Sequence, residues 1–139
     1  MAIQQAVCTS FKSELCAGTH VFGTDVLKMA LFQSSATLGA STTAYSATGE
    51  ASGTGYVAGG ATLSSVTVNT SGTTVYISFT NPSWSGSSIT ARGALIYNSS
   101  KSNKAIAVID FGENKTTSGT TFQVNLPTAD AANAIIRFP

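Results

Sequence analysis

The chain has 139 residues and a formal net charge of +1, with 42% hydrophobic and 9% charged residues, against roughly 25% charged in an average soluble protein. This is the size of one ordinary domain with material for a single core, and the missing charge is replaced by Ser, Thr, Gly and Ala, a surface suited to packing into an assembly. No Lys/Arg cluster could follow a phosphate backbone and no apolar run reaches about 18 residues, which argues against a nucleic-acid partner and against a membrane span.

The opening residues, MAIQQAVCTSFK, lack the basic and long apolar regions of a secretory signal. Residues 3–16 read as the single helix: Ile3, Val7, Phe11 and Leu15 recur every four residues, Lys12 and Glu14 lie off that line, and Gly18 is a stop. The stripe must pack either on this domain's own sheet or on a neighbouring subunit. Cys8 and Cys16 both fall in this segment. Eight residues of helix span about 12 Å, too far for a disulfide, so both are expected as free thiols of a reducing compartment.

The apolar period then changes to two. Leu27, Met29 and Leu31 share one face of DVLKMALFQ with Lys28 opposite. Val75, Ile77 and Phe79 alternate with Thr74, Tyr76 and Ser78, and Phe122, Val124 and Leu126 alternate with Gln123 and Asn125. These patterns predict half-buried strands. In ATLSSVTVNT, Leu63 and Val66 are out of phase, which predicts a bulge or a switch between sheets. ARGALIYN (91–98) and KAIAVIDFG (104–112) are apolar on both faces and are joined by the polar turn SSKSN. They predict a hairpin at the centre of the fold or at a partner contact. AIIRF (134–138) closes the chain as a short apolar run. No helix–strand alternation, internal repeat or linker is present. The expectation is one mainly β domain over 1–139, a two-sheet antiparallel β-sandwich of jelly-roll or Ig-like type with one short N-terminal helix.

The residue types needed for catalysis are sparse. Six carboxylates, Glu14, Asp25, Glu50, Asp110, Glu113 and Asp130, are scattered, whereas a two-carboxylate hydrolase needs a pair in one cleft. His20 is the lone histidine, and no G-x-S-x-G elbow accompanies it. A zinc site needs about four ligands, and Cys8, Cys16 and His20 do not converge if the cysteines lie eight apart on one helix. The stretch GTGYVAGG (53–60) fails both phosphate-loop patterns. Gly53 and Gly55 lack the third glycine at the dinucleotide spacing, Gly60 is followed by Ala61 rather than Lys, and strand rather than helix follows. The expectation is therefore no catalytic residue, no metal and no cofactor. The stretch reads as tight turns, with Tyr56 either against the core or at a contact. Trp84 reads as a core anchor or a ligand platform.

Three blocks, AIQQAVCTSFKSEL, EASGTGYVAGGATL with SGTTVYISF after it, and ITARGALIYNSSKSNKAIAVIDFG continuing to FQVNLPTADAANAIIR, cover nearly the whole chain in order. Together they resemble small structural proteins of tailed-bacteriophage virions, with the ARGALIYN…KAIAV…DFG block the most specific. The resemblance implies a non-enzymatic virion component made in the bacterial cytoplasm. The favoured role is a capsid cement or decoration protein whose partners are the major capsid protein and copies of itself as a homo-oligomer. The alternative is a tail, connector or fibre module, with Tyr45, Tyr56 and Trp84 as aromatic platforms for a glycan or receptor. The residues expected at contacts are Ile3, Val7, Phe11, Leu15, Tyr56 and Trp84.

Overall fold

The computed structural model describes residues 2–138. In chain order it contains β1 (Ala6–Val7), α1 (Thr9–Cys16), β2 (Leu27–Phe32), β3 (Ala61–Thr62), β4 (Thr67–Ser71), β5 (Thr74–Ser78), β6 (Ser83–Ser87), β7 (Thr90–Asn98), β8 (Lys104–Thr116), β9 (Thr120–Gln123) and β10 (Ile136–Phe138). They form a five-stranded sheet in the order β1-β8-β7-β2-β3, a three-stranded sheet β10-β5-β4 and a two-stranded sheet β6-β9. Every pairing between these strands is antiparallel. The mainly β expectation with one short helix holds.

The centre of the molecule is the hairpin of β7 and β8. Residues 93–98 and 105–109 are buried, and β2 lies along the other side of β7 in unbroken register from Leu27↔Asn98 to Phe32↔Gly93. A strand hydrogen-bonded on both sides and covered on both faces has no use for polar alternation. The turn between them holds Ser102 and Asn103 at φ +55° and +57°. Strand β2 departs from the half-buried expectation: Ala30 and Phe32, on the same face as Lys28, are as buried as Leu27, Met29 and Leu31. On that face Tyr45 packs edge-on to Phe32, with ring centroids 6.4 Å apart.

The helix is shorter than expected. Ile3 forms a parallel bridge with Leu38, and Ala6 and Val7 pair with Val108 and Ala107 as β1. A four-residue spacing of apolar side chains is compatible with period two as well as 3.6. Here the β-branched Ile3 and Val7 meet an open edge of β8, and the strand wins. Helix α1 begins only after Cys8, whose N–H bonds Ile106 C=O at 2.9 Å, and it buries Phe11 against His20 and Phe22, with ring centroids 5.1 and 5.9 Å away.

The out-of-phase segment is a switch between sheets. Strand β3 pairs with β2, β4 pairs with β5, and Ser65 turns the chain between them at φ +57°. The final apolar run becomes β10, laid on β5 so that Ile136 faces Ile77. Trp84 lies on β6, edge-on to Phe122 across the β6–β9 pair.

The glycine stretch is a loop held hard against backbone. Gly60 has φ +83°, and a Cβ there would sit 1.9 Å from Met29 O; at Gly53, φ +142°, it would sit 2.1 Å from Ser88 O. Both positions need glycine for conformation and for space. Gly72, at φ +59° with nothing within 4 Å, needs it only for conformation. We expect Gly72→Ala to cost about 1–2 kcal/mol and Gly60→Ala at least about 3 kcal/mol, because backbone strain and overpacking add. Equilibrium denaturation of the two variants checks this, and equal losses would show that the Gly60 contact is not tight.

Candidate functional site

Two polar clusters and one cleft are the places where chemistry or binding could reside. The first cluster surrounds Glu50. Its carboxylate accepts hydrogen bonds from the Tyr45 hydroxyl (2.5 Å), the Tyr56 hydroxyl (2.5 Å) and the Gly59 N–H (2.7 Å). The Tyr56 hydroxyl also accepts the Leu31 N–H at 3.0 Å, and the Tyr97 hydroxyl donates to Gly59 C=O. The glycine loop is thereby tied to β2 and β7. Burial and the neighbouring Glu50 carboxylate push both the Tyr45 and Tyr56 hydroxyls above the ordinary tyrosine range. A phenol held protonated between a carboxylate and a backbone N–H is a structural donor, with no role left for a base.

The second cluster runs Lys104, Glu14, His20, Asn98, Asp25 and Lys101. Glu14 Oε2 meets Lys104 Nζ at 3.3 Å, and Glu14 Oε1 lies 3.0 Å from His20 Nε2. Asn98 Oδ1 accepts the Ser100 N–H, so its amide nitrogen faces His20 Nδ1 (2.9 Å) and Asp25 Oδ2 (2.8 Å). That arrangement makes Nδ1 an acceptor and places the ring proton on Nε2, donated to Glu14. The His20 side chain is fully enclosed and both nitrogens are engaged, so it offers neither a free base nor a ligand atom. Burial alone would raise the Asp25 carboxyl, but bonds from Val21 N–H, Asn98 and Lys101, with the Lys101 charge, hold it down at about 2. Glu14 is likewise lowered, by His20 and Lys104 against its burial.

Both cysteines are free. Burial, with Glu14 nearby, pushes the Cys8 thiol up to about 11, and Cys16 is exposed at the end of α1. Among the described residues no group of three or more His, Cys, Asp and Glu converges to hold a metal. No helix among them is long and apolar enough to cross a membrane.

The cleft has a volume of about 480 Å³ and lies between the far half of β8, β9 and the segment that follows it. Phe111, Phe122, Val124, Leu126 and Ile135 give it an apolar lining, with Gln5, Gln123 and Asn125 among its polar residues. Its two charged residues are already paired. Asp110 accepts from Arg92 Nε at 3.1 Å, and Lys115 meets Glu113 at 2.8 Å. The Gly112 N–H, and then Arg92, lower the Asp110 carboxyl. The cleft can bind an apolar group beside hydrogen-bonding edges, and its charged groups are engaged in pairs that do not share a proton with one another.

The six residues expected at contacts are not brought together as one surface. Ile3, Phe11 and Trp84 are 6%, 0% and 6% exposed, so they are core residues and present almost nothing to a neighbour. Val7, Leu15 and Tyr56 are half-buried and pack against the same core. Tyr45 stacks on Tyr97 at 4.7 Å, and Trp84 lies between Tyr56 and Phe122. None of the three proposed aromatic platforms lies open. Sequence reasoning missed Glu50 as the anchor of the glycine loop. It also missed the cleft, whose one visible signal was the alternation of Phe122, Val124 and Leu126 beside Pro127.

No family model matches the chain, and no curated protein or solved structure is similar to it.

Acid stability reads out the second cluster. The Asp25 carboxyl is lower in the folded state than its unfolded value of about 3.9, so its contribution is present above about pH 4 and is lost as pH falls toward about 2. We expect about 2 kcal/mol of pH-dependent stability in that window to be missing from Asp25→Asn. Denaturation midpoints measured between those pH values test this, and parallel curves for the two proteins would contradict it.

Proposed function

We propose that this chain is a non-enzymatic structural protein of a tailed-bacteriophage virion, a capsid cement or decoration protein that docks on the shell of the major capsid protein and associates with copies of itself. In this reading its sheets stack as a β-sandwich. Trp84 and Phe122 form part of the seam between layers with Tyr56 packed against them, a view supported by the membership of Trp84 and Phe122 in one continuous core with Leu31, Ile77 and Ile106. The assignment to a phage particle rests on the resemblance of the three sequence blocks.

The observation that carries a docking role is the cleft beside β9. It has an apolar lining and hydrogen-bonding polar groups, while the ionisable residues of the fold's interior are engaged with one another. Such a site favours attachment without chemistry. A protein that binds assembled shell better than free subunits stabilises the assembled state by mass action. A surface poor in charge lowers the desolvation penalty of that contact.

Adding the purified protein to undecorated heads should raise their disruption temperature. The double variant Gln123→Lys/Asn125→Lys, at two exposed cleft positions, should keep the fold and bind heads at least about tenfold more weakly, or about 1.4 kcal/mol. No rise in disruption temperature at saturating protein would contradict the cement role. A rise that the double variant reproduces would move the docking site away from the cleft.

A further inference from the structure

We infer that the free edge of β4 is a self-pairing surface, on which a second copy of this chain adds its own β4 antiparallel about a two-fold axis at Asn69. The inference deepens the self-association within the proposed function, and its test uses the isolated protein, so that it fails separately from shell binding.

Three observations meet at this strand. Strand β4 is the edge of its sheet, paired only with β5. The turn joining them is the two-residue loop Gly72–Thr73 with Gly72 at φ +59°, which fits a type II′ hairpin. Such a turn makes Ser71↔Thr74 a hydrogen-bonded pair. By alternation Asn69↔Tyr76 and Thr67↔Ser78 are bonded too. The backbone N–H and C=O groups of Val68 and Thr70 therefore point outward from the sheet.

The second observation is a row of side chains that ends abruptly. Ile136, Ile77 and Val68 lie side by side on one face of the sheet, and their exposures are 1%, 4% and 51%. The core-facing row thus runs out into solvent at the edge strand, where one further strand would place a side-chain neighbour beside Val68.

The third is the lack of any edge protection. The outer strands of the five-stranded sheet, β1 and β3, are two residues long. Strand β10 carries Arg137, and β6 is broken by a register shift between Trp84 and Ser87. Short strands, charges and bulges are the usual ways to block edge pairing. Strand β4, Thr-Val-Asn-Thr-Ser, is five residues long, in regular register with β5 and uncharged.

The occupant is a second copy because the strand is its own complement. With Asn69 on the axis, Val68 of each copy lies opposite Thr70 of the other. All four outward backbone groups of each copy are then satisfied in two hydrogen-bonded pairs. The face row continues from Ile136, Ile77 and Val68 into Thr70, Val75 and Phe138 of the second copy. Self-pairing places identical residues near one another, and without charge no like-charge repulsion arises. One pair of short strands buries less than the roughly 1,200–2,000 Å² of a standard interface. The association is therefore weak and appears at high protein concentration.

Sedimentation equilibrium of the full chain from about 10 μM to about 1 mM should show a monomer–dimer equilibrium. Thr70→Pro removes an outward N–H and suits an edge strand. It should weaken dimerisation at least about tenfold with the thermal midpoint nearly kept. Val68→Lys, which alters an exposed side chain, should do the same and covers the case in which the proline disturbs the hairpin. In a Cys16→Ser background, Asn69→Cys should cross-link into a dimer on mild oxidation while Thr73→Cys, at the hairpin tip, does not. A monomer at every concentration, or a dimer indifferent to both edge substitutions, overturns the inference. So does protection of the Val68 and Thr70 amides only when heads are present, which would assign the edge to a strand of the shell and leave shell docking intact.

Discussion

The hairpin of β7 and β8 is apolar on both faces, and a strand pair of that kind is stable only where both faces are covered and both edges are hydrogen-bonded. Much of the rest of the fold meets that demand. Strand β2 takes the far edge of β7 and β1 takes part of the edge of β8. Helix α1 and the loop through His20 close over one end, where Asn98 leaves its amide to be satisfied by His20 and Asp25. The glycine loop closes over β2 and Tyr97, close enough that Gly60 lies directly against Met29 backbone. Where the cover over β8 runs out, beyond Val108, the cleft begins.

The same demand explains where the charges go. A chain with so few ionisable residues would be expected to display them at the surface. Instead Glu14, Asp25 and Glu50 are drawn inward to satisfy donors that the packing leaves behind. Buried polar groups are tolerated when each has a partner, and every buried side-chain nitrogen and oxygen among the described residues has one. The outcome is a core whose polar groups are paired and a surface rich in hydroxyl and small side chains. That surface is suited to contact over a broad area, and it carries the proposed role on a shell.

How far the sequence could be read depended on the range of the interaction. The central hairpin is legible as two apolar runs about a polar turn, and the loss of phase after Leu63 marks a bulge or a sheet switch, because both signals are local; the final run shows only as apolar, and its pairing with β5 is a long-range contact. The helix over 3–16 was half right, since Phe11 and Leu15 lie in α1. Ile3 and Val7 fit a strand as well as a helix, and only the distant edge of β8 decides between them. The burial of Phe32 depends likewise on a residue outside its own strand, Tyr45. His20 and Asn98 are 78 positions apart, and Glu50 meets Tyr45, Tyr56 and the Gly59 N–H only after the glycine loop has folded back. No local pattern marks such contacts. The residues expected at contacts are large and apolar, which is also what places a residue in the core, as Ile3, Phe11 and Trp84 show.

The copy number per purified virion tests most directly the proposal that this chain coats a capsid shell. The ratio of this chain to the major capsid protein, measured by quantitative mass spectrometry against calibrated standards, should be a simple one, with hundreds of copies per particle. A few copies, or a few dozen, would contradict the account and place the protein at the tail or connector instead.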